Sequence, residues 1–514
     1  MNYTFTFLHK NLFPCLFGVL FLGLIFSSCD PTKNLGNDSL DKVVVKKDST
    51  KETPPDVVVT PPKVIEPTKI DTVRWCDTLQ RDPSTLVIVC FEKIGNGTIK
   101  ADTVDVIEIY NSSNSTDWSN AFLDSAITKK AAYRVAIIMP FRSKSFSAAP
   151  SREIPGHSLK SIEFYEGVQI ALDSLKKEGV SLFVDVFDSM GDTTTVRTIL
   201  QKPELKQADL IIGPISSRTL TMVAEFAKTY QTPLVSPFNP RPDLTTNNPY
   251  YIQVNPSFTV YSKTIIENLY QIEQENRYRQ LDKKVLLLGE NSDSLEIQQL
   301  QKNFAIYTNT FDTLLPQYLS SSASVKINYI RPLLDKSKLN IIVIPSSNEE
   351  FIYNCLRELQ SLVDKIDPNK GYQIVVVGQD RWKYYSRITF EYYESLNLHF
   401  PAEFYVNKSI SKNINFRNGY KNNYGIAPRE FGYIGFDVML YFGRMLHNYG
   451  TNFQMHFWKS PAHLRHTEFR FQPVYENVVP LDSRLVTPRP VIRGFENQYL
   501  HFLQFKDYTI QTAK

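Results

Sequence analysis

Tyr133-Arg-Val-Ala-Ile-Ile-Met-Pro-Phe141 is a short apolar run dominated by Val and Ile and stopped by proline. A run of that length, β-branched and ended by a breaker, reads as a strand buried on both faces. After a polar loop, residues 161–179 place Ile162, Tyr165, Val168, Ile170, Ala171, Leu172 and Leu175 largely on one side of a helix, with Lys176, Lys177 and Glu178 before Gly179. Further apolar runs lie at 182–187, 210–212 and 234–235, and the last two flank a helix predicted over 220–230. Strand and helix in alternation predict a parallel sheet covered by helices on both faces, with a ligand crevice at the carboxyl ends of its strands.

The alternation resumes downstream. Strands are predicted at 250–254, 283–288, 341–344 and 374–377, with helices over 257–270, 347–363 and 431–449. The expected architecture is therefore α/β, two Rossmann-like lobes with parallel sheets. Residues 132–282 are assigned to lobe 1, 283–408 to lobe 2, and 409–514 to a return to lobe 1 and terminal strands. At 514 residues the chain exceeds one ordinary core, which agrees with several globular units.

Ala208-Asp-Leu-Ile-Ile-Gly-Pro-Ile-Ser-Ser217, then Thr232-Pro-Leu-Val-Ser-Pro237, and later Tyr424-Gly-Ile-Ala-Pro428 before Tyr433-Ile-Gly-Phe-Asp437, resemble the type I periplasmic-binding fold. This is the family of leucine/isoleucine/valine-binding proteins and related receptor ligand-binding domains. The resemblance covers roughly residues 133–508. It implies a ligand held between the lobes, with lobe 1 gripping an amino acid's carboxylate through a serine and backbone amides. Helix starts suit that task, because their unpaired N–H groups and dipole favour an anion.

The matching positions are Ser216, Ser217 and Arg218, and the loop Ser236-Pro-Phe-Asn-Pro-Arg241, which offers Ser236, Asn239 and Arg241. Ser217 agrees with the family's serine. The loop departs from the small Gly-Ala-Thr run of amino-acid binders, because Phe238 is bulky and Pro240 has no amide to donate. In lobe 2, Asp380 and Arg381 follow a predicted strand. Asp380 suits an ammonium group and Arg381 a carboxylate or phosphate. The other reading makes Asp380 a helix cap and leaves Arg381 in solvent. Arg142, just after the first strand, has the same two readings, and Asp437 reads as a hinge or packing residue.

The chain carries a formal charge of +4 with 42% apolar and 21% charged residues, and no basic run interleaved with aromatics. That excludes a nucleic-acid surface as the leading reading. Gly-rich phosphate loops, His-Glu-x-x-His, Gly-x-Ser-x-Gly and Cys-x-x-Cys are absent from the sequence. His456, His463 and His466 cluster near the carboxyl end without a converging carboxylate or thiolate pattern. No cofactor, metal or catalytic residue is expected.

The first 28 residues read as a lipoprotein signal peptide. His9 and Lys10 precede an apolar stretch over 12–26, shorter than the roughly 20 residues a span needs. It runs into Phe26-Ser-Ser-Cys29, which resembles a lipobox and implies acylation of Cys29, with Phe26 replacing the usual aliphatic residue. Residues 29–70, rich in Pro, Thr, Lys, Asp and Val, read as a disordered linker. Residues 71–131 form a small strand-rich segment with strands at 86–91 and 104–110 around the turn signal Gly95-Asn-Gly97. Cys76 and Cys90 read equally as a disulfide or as two unpaired thiols, and Cys355 as a core residue.

The functional expectation is a non-catalytic envelope lipoprotein, facing the periplasm and anchored at the outer membrane rather than the inner, which binds a small polar solute. The alternative comes from lipoprotein activators of penicillin-binding proteins, which contain a similar fold. It implies a degenerate cleft and a cell-wall synthase as partner.

Overall fold

The computed structural model describes residues 73–82, 85–94, 98–108, 129–146, 154–274, 281–307, 316–319, 325–364, 370–475 and 492–513. The signal peptide and the linker expected from the sequence, with Cys29, lie outside the described residues.

Short runs of Val, Ile and Leu pack on both sides of a sheet because successive side chains point to opposite faces. Strand β4 (Tyr133–Met139) shows this directly. Its Val135, Ile137 and Met139 enter one core and its Ala136 and Ile138 another. The same division holds at β6 (Leu210–Ile212), where Leu210 and Ile212 face one way and Ile211 the other. With β5 (Leu182–Asp188), β7 (Leu234–Ser236) and β8 (Tyr251–Gln253), these strands pair in parallel.

Helices α1 (Gly156–Lys177), α2 (Thr193–Leu200) and α3 (Ser217–Tyr230) provide the crossovers. Gly213 follows β6 at φ +87, a conformation in which a side chain is strained, and a methyl added there would collide with the Ile138 carbonyl.

The second sheet repeats the arrangement. It contains β9 (Lys283–Gly289), β10 (Pro316–Tyr318), β11 (Leu339–Val343), β12 (Gln373–Val377) and β13 (His399–Ala402). Along β11, Leu339, Ile341 and Val343 join one core while Ile342 joins the other. Helices α4 (Phe258–Gln274) and α5 (Ser294–Tyr307) cover one face, and α6 (Glu349–Gln360) the other. Cys355, fully buried, sits in the second of these cores as its helical pattern requires.

The chain then returns to lobe 1 through α7 (Ser411–Tyr424) and α8 (Glu430–Tyr449). Helix α8 lies against α1 so closely that Gly435 meets the backbone of Phe164. A small hairpin follows, β14 (Ala462–His463) with β15 (Glu468–Phe469). Then β16 (Phe471–Tyr475) and β17 (Ile492–Asn497) extend the first sheet to the order β16-β17-β8-β7-β6-β4-β5. Finally β18 (His501–Lys506) and β19 (Thr509–Thr512) complete the second sheet as β10-β9-β11-β12-β13-β18-β19.

Two lobe boundaries differ from the sequence expectation. Helix α4 was assigned with lobe 1, but its Ile265, Ile266, Leu269 and Ile272 pack with Val285, Leu287 and Ile341 of the second sheet. The crossover therefore lies at 254–257 and not near 282. The terminal strands β18 and β19, grouped with the return to lobe 1, belong to the second sheet. An amphipathic helix or strand shows in its sequence that one face is buried, but not which of two equivalent sheets buries it.

The chain thus passes between lobes three times, after β8, after β13 and after β17. Within 73–108, β1 (Val73–Asp82), β2 (Thr85–Ile94) and β3 (Thr98–Glu108) form an antiparallel sheet whose register sets Cys76 opposite Cys90. Among the described residues no helix is long and apolar enough to cross a membrane.

Candidate functional site

The site lies where the sheets' carboxyl ends meet the crossovers. Ser217 opens α3, and its hydroxyl accepts a hydrogen bond from Asn239 Nδ2 at 2.7 Å. Asn239 is held in turn, because its Oδ1 accepts from the Arg241 amide at 3.1 Å. Beside it, the Phe238 ring stands edge-on between Phe164 at 5.4 Å and Phe431 at 5.6 Å, with Lys160 Nζ 5.1 Å from the Phe431 ring centre. The bulky loop therefore forms an aromatic wall over lobe 1, and the amide-poor Asn-Pro pair supplies a side-chain donor in place of backbone ones.

Asn255, on the first crossover, donates to the Phe238 carbonyl at 3.3 Å and to Glu403 Oε2 on the second crossover at 2.8 Å. Burial pushes the Glu403 carboxyl up to about 7, reinforced by Asp380 and Glu430 and opposed by Lys383 and Arg381. These charges come from both lobes, since Glu430 opens α8 and Asp380 follows β12.

Asp380 accepts from Lys383 Nζ through both oxygens, at 2.9 and 2.7 Å. Burial raises the Asp380 pKa against the pull of that ammonium. For Lys383, burial opposes the charge, but Asp380 outweighs it and the pKa is raised. The Asp380 amide donates to the Tyr261 hydroxyl, which donates to the Pro401 carbonyl at 2.7 Å. Helix α4, the post-β12 loop and β13 are thereby tied together.

The first crossover is pinned to β17 by Glu496, which is buried and whose Oε1 accepts from the Ser257 amide and from Gln253 Nε2. Burial pushes this carboxyl to about 7 as well.

Of the residues marked from sequence, the structure joins Ser217 to Asn239 and connects them through Asn255 and Glu403 to the surroundings of Asp380 and Arg381. Arg381 is exposed, as are Ser216 and Arg218. Ser236 is fully buried at the carboxyl end of β7. Arg241 forks Asp243 at 3.0 and 2.7 Å. Arg142 is exposed in a left-handed turn, its guanidinium beside Gly191.

Asp437 is a packing residue, as expected. Its Oδ2 accepts from the amides of Arg465 and His466 and from His466 Nδ1. The three histidines go to separate partners: His456 stacks on Tyr449, His463 pairs with Glu468, and His466 with Asp437.

Sequence reading missed Asn255, Glu403, Lys383 and Glu496. For Glu403 a signal was present, a carboxylate directly after the apolar strand end Phe400-Pro-Ala402.

Residues 165–271 match the family described as the receptor family ligand binding region. No curated protein matches the chain. Among solved structures, a putative branched-chain amino acid ABC transporter from Rhodospirillum rubrum is 14% identical, with 74% of this chain and 99% of that one covered at a TM-score of 0.51. An ABC transporter substrate-binding protein from Desulfitobacterium hafniense, in complex with Leu, is 13% identical over 74% and 99% at 0.46. The branched-chain amino acid transporter substrate-binding protein of Streptococcus pneumoniae, with isoleucine, is 14% identical over the same shares at 0.42. The two sheets, their three crossovers and the first of these similarities together make this a type I periplasmic-binding fold.

Proposed function

We propose that this chain is a non-catalytic envelope lipoprotein that binds a small polar solute between its two lobes. The observation that carries the reading is the constellation at the crossovers, where Asn255, Glu403, Asp380 and Lys383 from different segments meet at the edge of an aromatic wall. Polar groups converging beside apolar surface between two lobes are the usual form of a solute site. Contacts from both lobes supply the differential affinity that favours a closed arrangement. Thermal-shift titration of the purified protein with amino acids, sugars and small peptides tests it. Ligand at 100 times Kd adds about 2.7 kcal/mol of stability, and a flat response across the panel defeats the reading.

Anchoring through acylated Cys29 completes the proposal, since two acyl chains hold a protein stably on a membrane. A Cys29→Ser variant is then recovered in the soluble fraction, and firm membrane association of that variant removes the anchor from the account.

A second reading, a protein-interaction lipoprotein that regulates or scaffolds peptidoglycan synthesis, is favoured by one observation. Ser217 and Asp380 already have partners within the chain. It predicts co-purification with a cell-wall synthase that survives Ser217→Ala.

A further inference from the structure

Between Phe404 and Arg429 the chain carries Lys408, Lys412, Arg417, Lys421 and Arg429 and not one Asp or Glu, although acids and bases nearly balance over the whole sequence, 53 against 57. Like charges held on one ordered segment repel each other, and Arg417 and Lys421 stand one helical turn apart. Such a run stabilises nothing by itself and suits a partner of the opposite sign.

The segment is built around α7. Its inner face is seated on lobe 1, where Phe416 packs on Tyr433 and Phe436 of α8, both at 4.8 Å, and the Tyr420 hydroxyl donates to Glu166 of α1. Its outer residues are exposed. From the N-cap onward Ile410, Ile414, Arg417 and Lys421 recur at helical spacing and line one stripe. The two isoleucines are 42% and 41% exposed, and Ile426 just past the helix end 50%, so aliphatic surface lies in water among the cations. Carboxylates that border the helix are engaged elsewhere: Glu163 with Arg429, Glu166 with Tyr420, and Glu468 with His463 and Arg470. Among the described residues, Lys408, Arg417 and Lys421 form no ion pair.

We propose that the outer face of α7 is a docking surface for an anionic phospholipid bilayer, with Lys408, Arg417 and Lys421 against the head groups and Ile410 and Ile414 entering between them. Charge complementarity selects an anionic partner. The aliphatic stripe selects a bilayer over a soluble polyanion, which has no apolar layer for the isoleucines to enter. Surfaces that dock on proteins are depleted in lysine and built on aromatic anchors, whereas this face carries lysines and no exposed aromatic ring. Contact of this kind is weak and reversed by salt, unlike the hold of acyl chains, so it is separable from anchoring at Cys29 and independent of the solute-binding reading.

The test is sedimentation of the soluble full-length chain carrying Cys29→Ser with vesicles of phosphatidylcholine alone and of equimolar phosphatidylcholine and phosphatidylglycerol. Binding to the anionic vesicles exceeds that to the neutral ones at least tenfold in about 0.1 M salt and is lost in about 1 M. Each basic side chain near an anionic surface is worth roughly a fivefold change in partitioning, so Arg417→Gln with Lys421→Gln lowers binding about 25-fold. Ile410→Ser with Ile414→Ser lowers it roughly fivefold or more. All four side chains are exposed, so the urea midpoints stay at the wild-type value and confirm that the variants fold. Equal binding to both vesicles, or binding to neither, overturns the proposal. Undiminished binding by the glutamine pair overturns the part given to α7. Binding indifferent to the serine pair overturns the bilayer and leaves an acidic protein or polymer as the partner.

Discussion

Replacing Gly435 by alanine tests how the chain closes back on its first lobe. A methyl group at this position stands 2.7 Å from the carbonyl carbon of Phe164 and 3.0 Å from its Cα, with the carbonyl oxygen nearer still. The obstacle is the backbone of α1 and cannot rotate away, so the two helices separate by about 1 Å to restore ordinary contact. A gap of about 0.5–1 Å forfeits a quarter to a half of each dispersion contact it opens. Phe164, Val168, Ala171 and Leu175, all fully buried on α1, line that contact.

Overpacking of this kind costs about 3 kcal/mol at the upper end of its usual range. Alanine recovers about 1 kcal/mol through its helix propensity. The net loss is therefore about 2 kcal/mol, or roughly a 30-fold rise in the population of opened molecules. Gly419 provides the control, because it lies within α7 and nothing stands within 4 Å of its added methyl. Gly419→Ala gains up to about 1 kcal/mol from the identical chemical change. Urea denaturation followed by circular dichroism, with hydrogen exchange of peptides from α1 and α8, separates the two variants. Equal stability of Gly435→Ala and wild type, or the same sign for both variants, refutes the close approach of α1 and α8.

Stability also depends on pH through the crossovers. Glu403 and Glu496 stay protonated in the folded chain up to about 7, whereas the unfolded chain releases these protons from about 4.5 upward. The unfolded state binds fewer protons across that window, so stability falls as pH rises from 4.5 to about 7, by up to about 3 kcal/mol for each group. Urea midpoints at pH 5 and pH 8 measure the difference, and Glu496→Gln flattens the dependence; a variant as steep as wild type contradicts it. Asp437→Ala leaves the partly buried Arg465 amide, the buried His466 amide and His466 Nδ1 without their acceptor. The expected loss is about 3–5 kcal/mol, and an unchanged urea midpoint counts against the role given to Asp437. Cys76 and Cys90 stand opposite each other in the β1–β2 register, a spacing that disulfide geometry accepts. We propose that they are joined in an oxidising compartment, and recovery of both as free thiols by non-reducing peptide mapping argues otherwise.

The apolar runs at 133–141, 210–212, 341–344 and 374–377 are legible in the sequence because a strand buried on both faces carries few polar positions. The long helix over 431–449 is legible from its apolar face, Ser217 from the family resemblance, and Asp380 from its place after a strand. These signals are local, carried by residues a few positions apart. Three matters were settled only when the chain folded.

The lobe that owns α4, β18 and β19 depends on which of two similar sheets each packs against, and either sheet offers an apolar surface. The roles of Ser217 and Asp380 depend on Asn239 and Lys383. The second pairing lies only three residues away, but it required the turn after β12 to fold the lysine back onto the carboxylate. The environment of Glu403 and Glu496 depends on crossovers separated by up to 243 residues and brought within hydrogen-bonding distance. Sequence periodicity fixes which face of an element avoids water. Partnership between buried polar groups is set by three-dimensional proximity, and only the folded chain decides it.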